Sequence, residues 1–279
     1  MRRSDVIGLV AALVMSGAAA LADPGPSRVV SMNLCTDQLA MLIADPGQIV
    51  SLSYLSTDPR SSAMYAEARA FAQNQGQAEE IYLQQPDLVL AGRYTGVATV
   101  NMLRRLDKRV ELFLPAYSLE DVRERMLQMG RALGREARSE ALVADFDAGL
   151  AALREDVRNR PLAALYYANG YTTGDQTLAG QILLAAGFDN VTTRAGQLRA
   201  GNMPLEVLVM MQPEAVVTGA KYPGQSRSEA ILDHPVIRAL QRDRHTGTVA
   251  DSDWLCGTPH VLRAVAKLVD LRHRVEEAR

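Results

Sequence analysis

Several residue types are scarce in this chain. Among 279 residues there are two cysteines, four histidines and one tryptophan. Two cysteines cannot build a disulfide scaffold, so the fold has to rest on a hydrophobic core, and a chain of this length can bury one. The histidines His234, His245 and His273 fall at no ligand-like spacing, and Cys256 with His260 supplies two of the four groups that a closed zinc site needs. No long run of Lys or Arg is present and the formal charge is −2 at pH 7. A nucleic acid or an anionic membrane is therefore not the expected partner. No apolar stretch reaches the roughly 20 residues that span a bilayer. Both the G-x-S-x-G elbow and the H-E-x-x-H helix are missing, and Gly224-Gln225-Ser226-Arg227 lacks the second glycine. The expectation is a protein that binds rather than catalyses. An exported hydrolase using Asp251, Asp253 or His260 is the alternative, although acids in loops more often form turns.

At the N-terminus, Arg2 and Arg3 precede an apolar stretch from Val6 to Met15, and Ala20-Leu21-Ala22 offers a small-x-small cleavage site. This pattern predicts a secretory signal peptide over residues 1–22 and a periplasmic mature protein.

The chain then repeats a phrase. Glu79-Glu80-Ile81-Tyr82-Leu83-Gln84-Gln85-Pro86-Asp87 runs into the apolar segment Leu88 to Gly92. Glu206-Val207-Leu208-Val209-Met210-Met211-Gln212-Pro213-Glu214 runs into Ala215 to Gly219. Each copy reads as a short helix, a proline break and a buried strand. The interval is far longer than a solenoid period and implies two similar lobes. Around the repeats, strand and helix patterns alternate, which predicts α/β lobes with mainly parallel sheets flanked by helices and ligands bound beyond the carboxyl ends of the strands. From Leu119 to Arg158 there is no proline, and two helices are expected to break near Gly134. The resulting division is a first lobe over 23–134, a stiff connecting helix over 135–160 and a second lobe over 161–279.

With Arg28-Val29-Val30-Ser31, the two Pro-acid-strand phrases and Asp253-Trp254 before the last helix, the chain resembles the substrate-binding proteins of bacterial ABC importers for ferric siderophores, haem and vitamin B12. The resemblance implies two α/β lobes joined by one helix, with a shallow cleft for a metal chelate and little closure. No permanently bound cofactor is implied. It further implies a monomer that docks on a permease dimer in the inner membrane through one acid per lobe. Those positions are Glu79 and Glu206, each seven residues before the proline of its phrase. A pseudo-twofold pair of acids suits a twofold basic partner. A sensory or metallochaperone module would share the cleft and lack the docking face.

Residues following the predicted strands are the candidates for the cleft: Asn33, Cys35, Thr36, Tyr54, Arg93 and Tyr94 on the first lobe, and Tyr171, Lys221, Tyr222, Trp254 and Cys256 on the second. Tyrosine offers contact area at low entropic cost. Arg93 and Lys221 would meet an anionic iron chelate with one cation from each lobe. Members specific for B12 tend to frame the corrin with tryptophan. Here Trp254 matches one such position, whereas Asn74 and Gly92 stand at the others, which places a ferric siderophore ahead of corrinoid or haem. Cys35 and Cys256, each expected at the amino end of a helix, are open to three readings: a disulfide, a pair of thiols with lowered pKa, or metal ligands.

Overall fold

A computed structural model describes residues 25–220, 227–243 and 245–279. The expected signal peptide and two cleft candidates, Lys221 and Tyr222, lie outside the described residues. In the first half, strands β1 (Val29–Ser31), β2 (Ile49–Ser53), β3 (Ala72–Asn74), β4 (Leu88–Gly92) and β5 (Val110–Phe113) are interleaved with helices α1 (Leu34–Ile43), α2 (Ala78–Leu83) and α3 (Val97–Arg105). A hairpin of two longer helices follows, α4 (Leu119–Leu133) and α5 (Glu136–Leu153). The second half contains β6 (Leu162–Leu165), β7 (Tyr171–Thr172), α6 (Leu178–Ala185), β8 (Asp189–Asn190), α7 (Val191–Arg194), β9 (Gly201–Asn202) and α8 (Leu205–Met210). It ends with β10 (Ala215–Gly219), α9 (Pro235–Asp243), β11 (His245–Val249), α10 (Asp251–Trp254) and α11 (Val261–Glu277).

Two separate parallel sheets result. One has the order β3-β2-β1-β4-β5 and the other β11-β10-β6-β8, while β7 and β9 form a small antiparallel ribbon. Strand period decides which side chains share a core. Val29, Leu88 and Leu90 of the first sheet point inward with Ala163, Leu165, Ala215 and Val217 of the second. All of these join one continuous core with Leu39 and Ile43 of α1, Met126 and Met129 of α4, Phe146 and Leu150 of α5, and Val265 and Leu268 of α11. The intervening residues face outward into two smaller cores. Val30, Val89 and Ala91 meet Ile81 of α2 and Leu103 of α3, and Leu162, Ala164 and Val216 meet Leu208 of α8 and Ile237 of α9. Helices covering both faces explain why the central strands read as unbroken apolar runs.

Local sequence sets the helix ends. Ser118 and Asp121 close a capping box at the start of α4, and Gly134 ends that helix at φ 66°. Gly130 lets α5 approach closely, because a Cβ there would stand 2.0 Å from Ser139 Oγ. A 3₁₀ turn at Ala230–Asp233 stays separate from α9, because Pro235 has no N–H to continue a helix and keeps His234 extended, with ψ at 138°. One sequence expectation is corrected. Cys256 lies between α10 and α11, not at the amino end of a helix, so it shares no helical turn with His260.

Candidate ligand cleft

In each sheet the chain reverses its direction of travel once. In the first sheet β1 has β2 on one side and β4 on the other, and in the second β6 has β8 and β10. Loops leaving such a pair of strands diverge and open a crevice at the carboxyl edge. A cavity occupies each of these two places, and Leu255 lines both.

The first-lobe cavity, of about 150 Å³, is bounded by the loops after β1, β4 and β5. Asn33 caps α1, accepting from the N–H of Cys35 at 3.0 Å, and its Nδ2 donates to Thr95 Oγ1 at 2.8 Å. A side chain at Gly92 would collide with that bond, since a Cβ there would stand 2.9 Å from Thr95 Oγ1 and 3.0 Å from Asn33 Nδ2. Thr36 reaches the cavity edge yet is tied to Ser31 Oγ at 2.8 Å and to the Asn33 carbonyl at 2.9 Å, so its hydroxyl serves the helix start. Arg93 and Tyr94 are exposed at the mouth. Tyr94 also hydrogen-bonds Tyr117, and desolvation together with Tyr94 raises the Tyr117 phenol above its usual pKa. Arg125, from the middle of α4, completes the wall.

The second-lobe cavity, of about 370 Å³, is aromatic. The Tyr167 ring meets Trp254 edge-on at 5.7 Å and lies 6.2 Å from Tyr171. Burial, ahead of the charge on Asp251, pushes the Tyr167 phenol up, so this side chain stays neutral and presents a ring and a hydroxyl. Trp254 is only 8% exposed but lines the cavity wall. Asp251 and Glu229 place carboxylates on this side, whereas among the described residues no carboxylate lines the first cavity.

The floor between the two is bonded covalently. Cys35, in the first turn of α1, forms a disulfide with Cys256, their Cα atoms 5.1 Å apart. Beside it Gly257 packs against Ala116 of the first lobe. Of the three readings open for the cysteines, the structure has the disulfide, and among the described residues no cysteine is free.

Asn33, Cys35, Thr36, Arg93 and Tyr94 thus line the first cavity, and Tyr171 and Trp254 the second. Tyr54 is exposed but lines neither, and Cys256 is buried in the floor. Asn74 cannot frame a ligand, being fully buried with its Nδ2 donating to the Ser31 carbonyl and Ser51 Oγ. Tyr167 and Arg125 escaped the sequence reading for different reasons. Tyr167 stands two residues after β6, so the same strand-end rule could have found it. Arg125 lies mid-helix, where only three-dimensional packing marks it. Glu79 and Glu206 are both exposed, in the first turns of α2 and α8.

A family model described as periplasmic binding protein matches residues 29–254. The chain belongs to the periplasmic binding protein family. A protein of Halobacterium salinarum (strain ATCC 29341 / DSM 671 / R1) named cobalamin-binding protein is 29% identical over 209 residues, which cover 73% of this chain and 57% of that relative. The chain therefore spans little more than half the length of this curated relative. Solved family structures share the two-lobed fold. The periplasmic haem-binding protein RhuT from Roseiflexus sp. RS-1, in apo form, superposes with a TM-score of 0.75 at 21% identity, over 90% of this chain and 99% of its own. A component of an ABC-type Fe3+-hydroxamate transport system from Saccharomonospora viridis DSM 43017 gives 0.67 at 23% identity, over 89% and 94%. The vitamin B12-binding protein BtuF of Vibrio cholerae gives 0.64 at 14%, over 90% and 98%. At these identities the likeness establishes the fold alone.

Proposed function

We propose that this periplasmic binding protein is exported, captures a metal chelate between its lobes and delivers it to an ABC permease in the inner membrane. The observation that carries this reading is the pair of cavities at the two strand-reversal points, converging on Leu255 with a cationic wall on one lobe and an aromatic wall on the other. Such a cleft suits a ligand that is part flat and apolar, part charged. A ferric siderophore is the first ligand class, and Lys221 and Tyr222 belong to the proposed lining. A corrinoid is the second, favoured by the halobacterial relative named for cobalamin. Trp254 is the sole tryptophan and borders the cleft, so its fluorescence reports occupancy. Titration with ferric siderophores, haem and corrinoids is expected to give a saturable change with one class. A flat response to all three would overturn the reading.

Docking through Glu79 and Glu206 has support from the surface around them. Each helix turns back into the strand that follows it, so its first turn sits at the carboxyl edge of its sheet, the edge where the cavities open. Four residues beyond the acids, Leu83 and Met210 are 79% and 81% exposed, and Tyr82 and Val209 are exposed beside them. Two matching patches of one acid and two apolar side chains suit a twofold partner with basic residues ringed by apolar surface. Charge reversal at both acids should impair permease-dependent uptake while ligand affinity stays unchanged. Full uptake by the double variant would remove the docking assignment.

A further inference from the structure

The side chain of Arg125 is 15% exposed, and it lines the first-lobe cavity. Among the described residues its one acid partner is Glu124, which is solvent-exposed and receives Nη2 at 2.8 Å. The Nε–H is buried and has no acceptor among the described residues. A buried, charged donor without a partner is costly and calls for an acceptor from elsewhere. Arg93 sits on the same cavity with no ion pair among the described residues, and the other polar groups of the lining are the amide of Asn33 and the hydroxyls of Thr36, Tyr94 and Thr95. A small cavity walled by two guanidinium groups and no carboxylate has the chemistry of an anion site, and the planar fork of arginine matches a carboxylate.

We infer that Arg125, together with Arg93, forms a carboxylate-binding subsite that selects metal chelates bearing a free carboxylate and turns that edge of the ligand toward the first lobe. The inference rests on the reading that the cleft takes a metal chelate, and it narrows the class of chelate. Across the cleft, Trp254, Tyr167 and Tyr171 receive the apolar side of the same ligand, so the two walls fix its orientation.

Matched pairs of probes test this by calorimetric titration: haem and its dimethyl ester, cobyrinic acid and its methyl esters, and a linear ferric trihydroxamate ending in a carboxylate or in an amide. The protein is expected to bind the acid member of at least one pair tenfold or more tightly than its neutral counterpart. Arg125→Gln should cut that preference to under threefold, Arg93→Gln should cut it in part, and Arg125→Lys should restore part of it. Arg93 is exposed and its replacement leaves the core untouched, so a preference reduced there supports the subsite even if the Arg125 variants fold poorly. Equal affinity for acid and neutral members, or an equal loss of both in Arg125→Gln, would overturn the subsite and leave a chelate-binding function standing. Binding of no member of any pair would sink both readings together.

Discussion

Gln85 and Gln212 hold the same left-handed backbone conformation, φ 50° and 47°, at equivalent points of the two lobes. Each lies between a short helix and a buried proline, and each turns the chain into the central strand that follows. The acid two residues later then anchors the turn. Asp87 accepts from the backbone N–H of Ser27 at 2.8 Å and of Arg28 at 3.0 Å, just before β1, and Glu214 accepts from the N–H of Leu162 at 3.1 Å, at the start of β6. The repeated phrase is thus a device for pairing one strand beside another, used once per sheet.

A left-handed conformation costs a residue with a Cβ about 1–2 kcal/mol, and glycine escapes most of this at an entropic cost of about 0.5–1 kcal/mol. Gln85→Gly and Gln212→Gly are therefore expected to be neutral or to stabilise by up to about 1 kcal/mol, whereas Gln85→Val should destabilise by at least that much. Urea midpoints of the three variants check this, and a destabilised glycine pair would contradict it.

The Cys35–Cys256 disulfide closes a loop of sequence separation 221 and so restricts nearly the whole unfolded chain. Chain-entropy arguments give about 5 kcal/mol for such a loop, and removal of native disulfides commonly costs about 2–5 kcal/mol. The Cys35→Ala/Cys256→Ala variant, and the wild type under reductant, should both lose stability in this range. Agreement between them, read from denaturant midpoints, separates the covalent tie from the packing of the two side chains.

The architecture was legible because its signals are local or periodic. Apolar strand runs, the break at Gly134 and the twice-used Gln-Pro-acid phrase gave two α/β lobes, and the rule that ligands sit beyond strand ends reached Asn33, Arg93, Tyr94 and Trp254. The sequence did not disclose that both lobes share one core through α1, α4, α5 and α11. That continuity arises from which side of each helix meets which sheet, a long-range fact with no periodic signature. The expected stiffness was assigned to a connecting helix alone, but the shared core and the disulfide floor restrain the lobes as well. Arg125 was invisible for the same reason: a charge in the middle of an amphipathic helix reads as solvated until the packing of its neighbours is known.

Asp37 of α1 is fully buried at the end of β2, where its carboxylate accepts from the N–H of Ser53 at 3.2 Å and from Ser53 Oγ. Burial outweighs these bonds and raises its pKa from 3.8 to about 7. The folded state thus holds this proton more tightly than the unfolded state does. Stability from this group is complete below about pH 4, declines as the pH rises toward 7 and is lost above that, an effect of up to about 4 kcal/mol. Asp37→Asn keeps the shape without the titration, so the wild type should weaken relative to the variant between pH 4 and 7. Parallel profiles of urea midpoint against pH for the two proteins would refute this.

Gly257 lets the second lobe meet the first beside the disulfide. A Cβ at this position would stand 2.3 Å from Ala116 Cβ and 3.5 Å from Val122 Cγ2. The first distance is far inside van der Waals contact, and the Ala116 methyl has no rotamer through which to withdraw. Gly257→Ala should therefore destabilise by about 1–3 kcal/mol, the usual range for overpacking. Because Leu255 and Cys256 lie on the same segment, the floor of the cleft should shift with it and ligand affinity should fall. Ala116→Gly removes the opposing methyl, so the double variant is expected to recover most of both losses, with a coupling of about 0.5–3 kcal/mol in a double-mutant cycle. Additive losses would mean that Gly257 is needed for its own backbone freedom, and that the approach of the two lobes at Ala116 does not set the shape of the cleft.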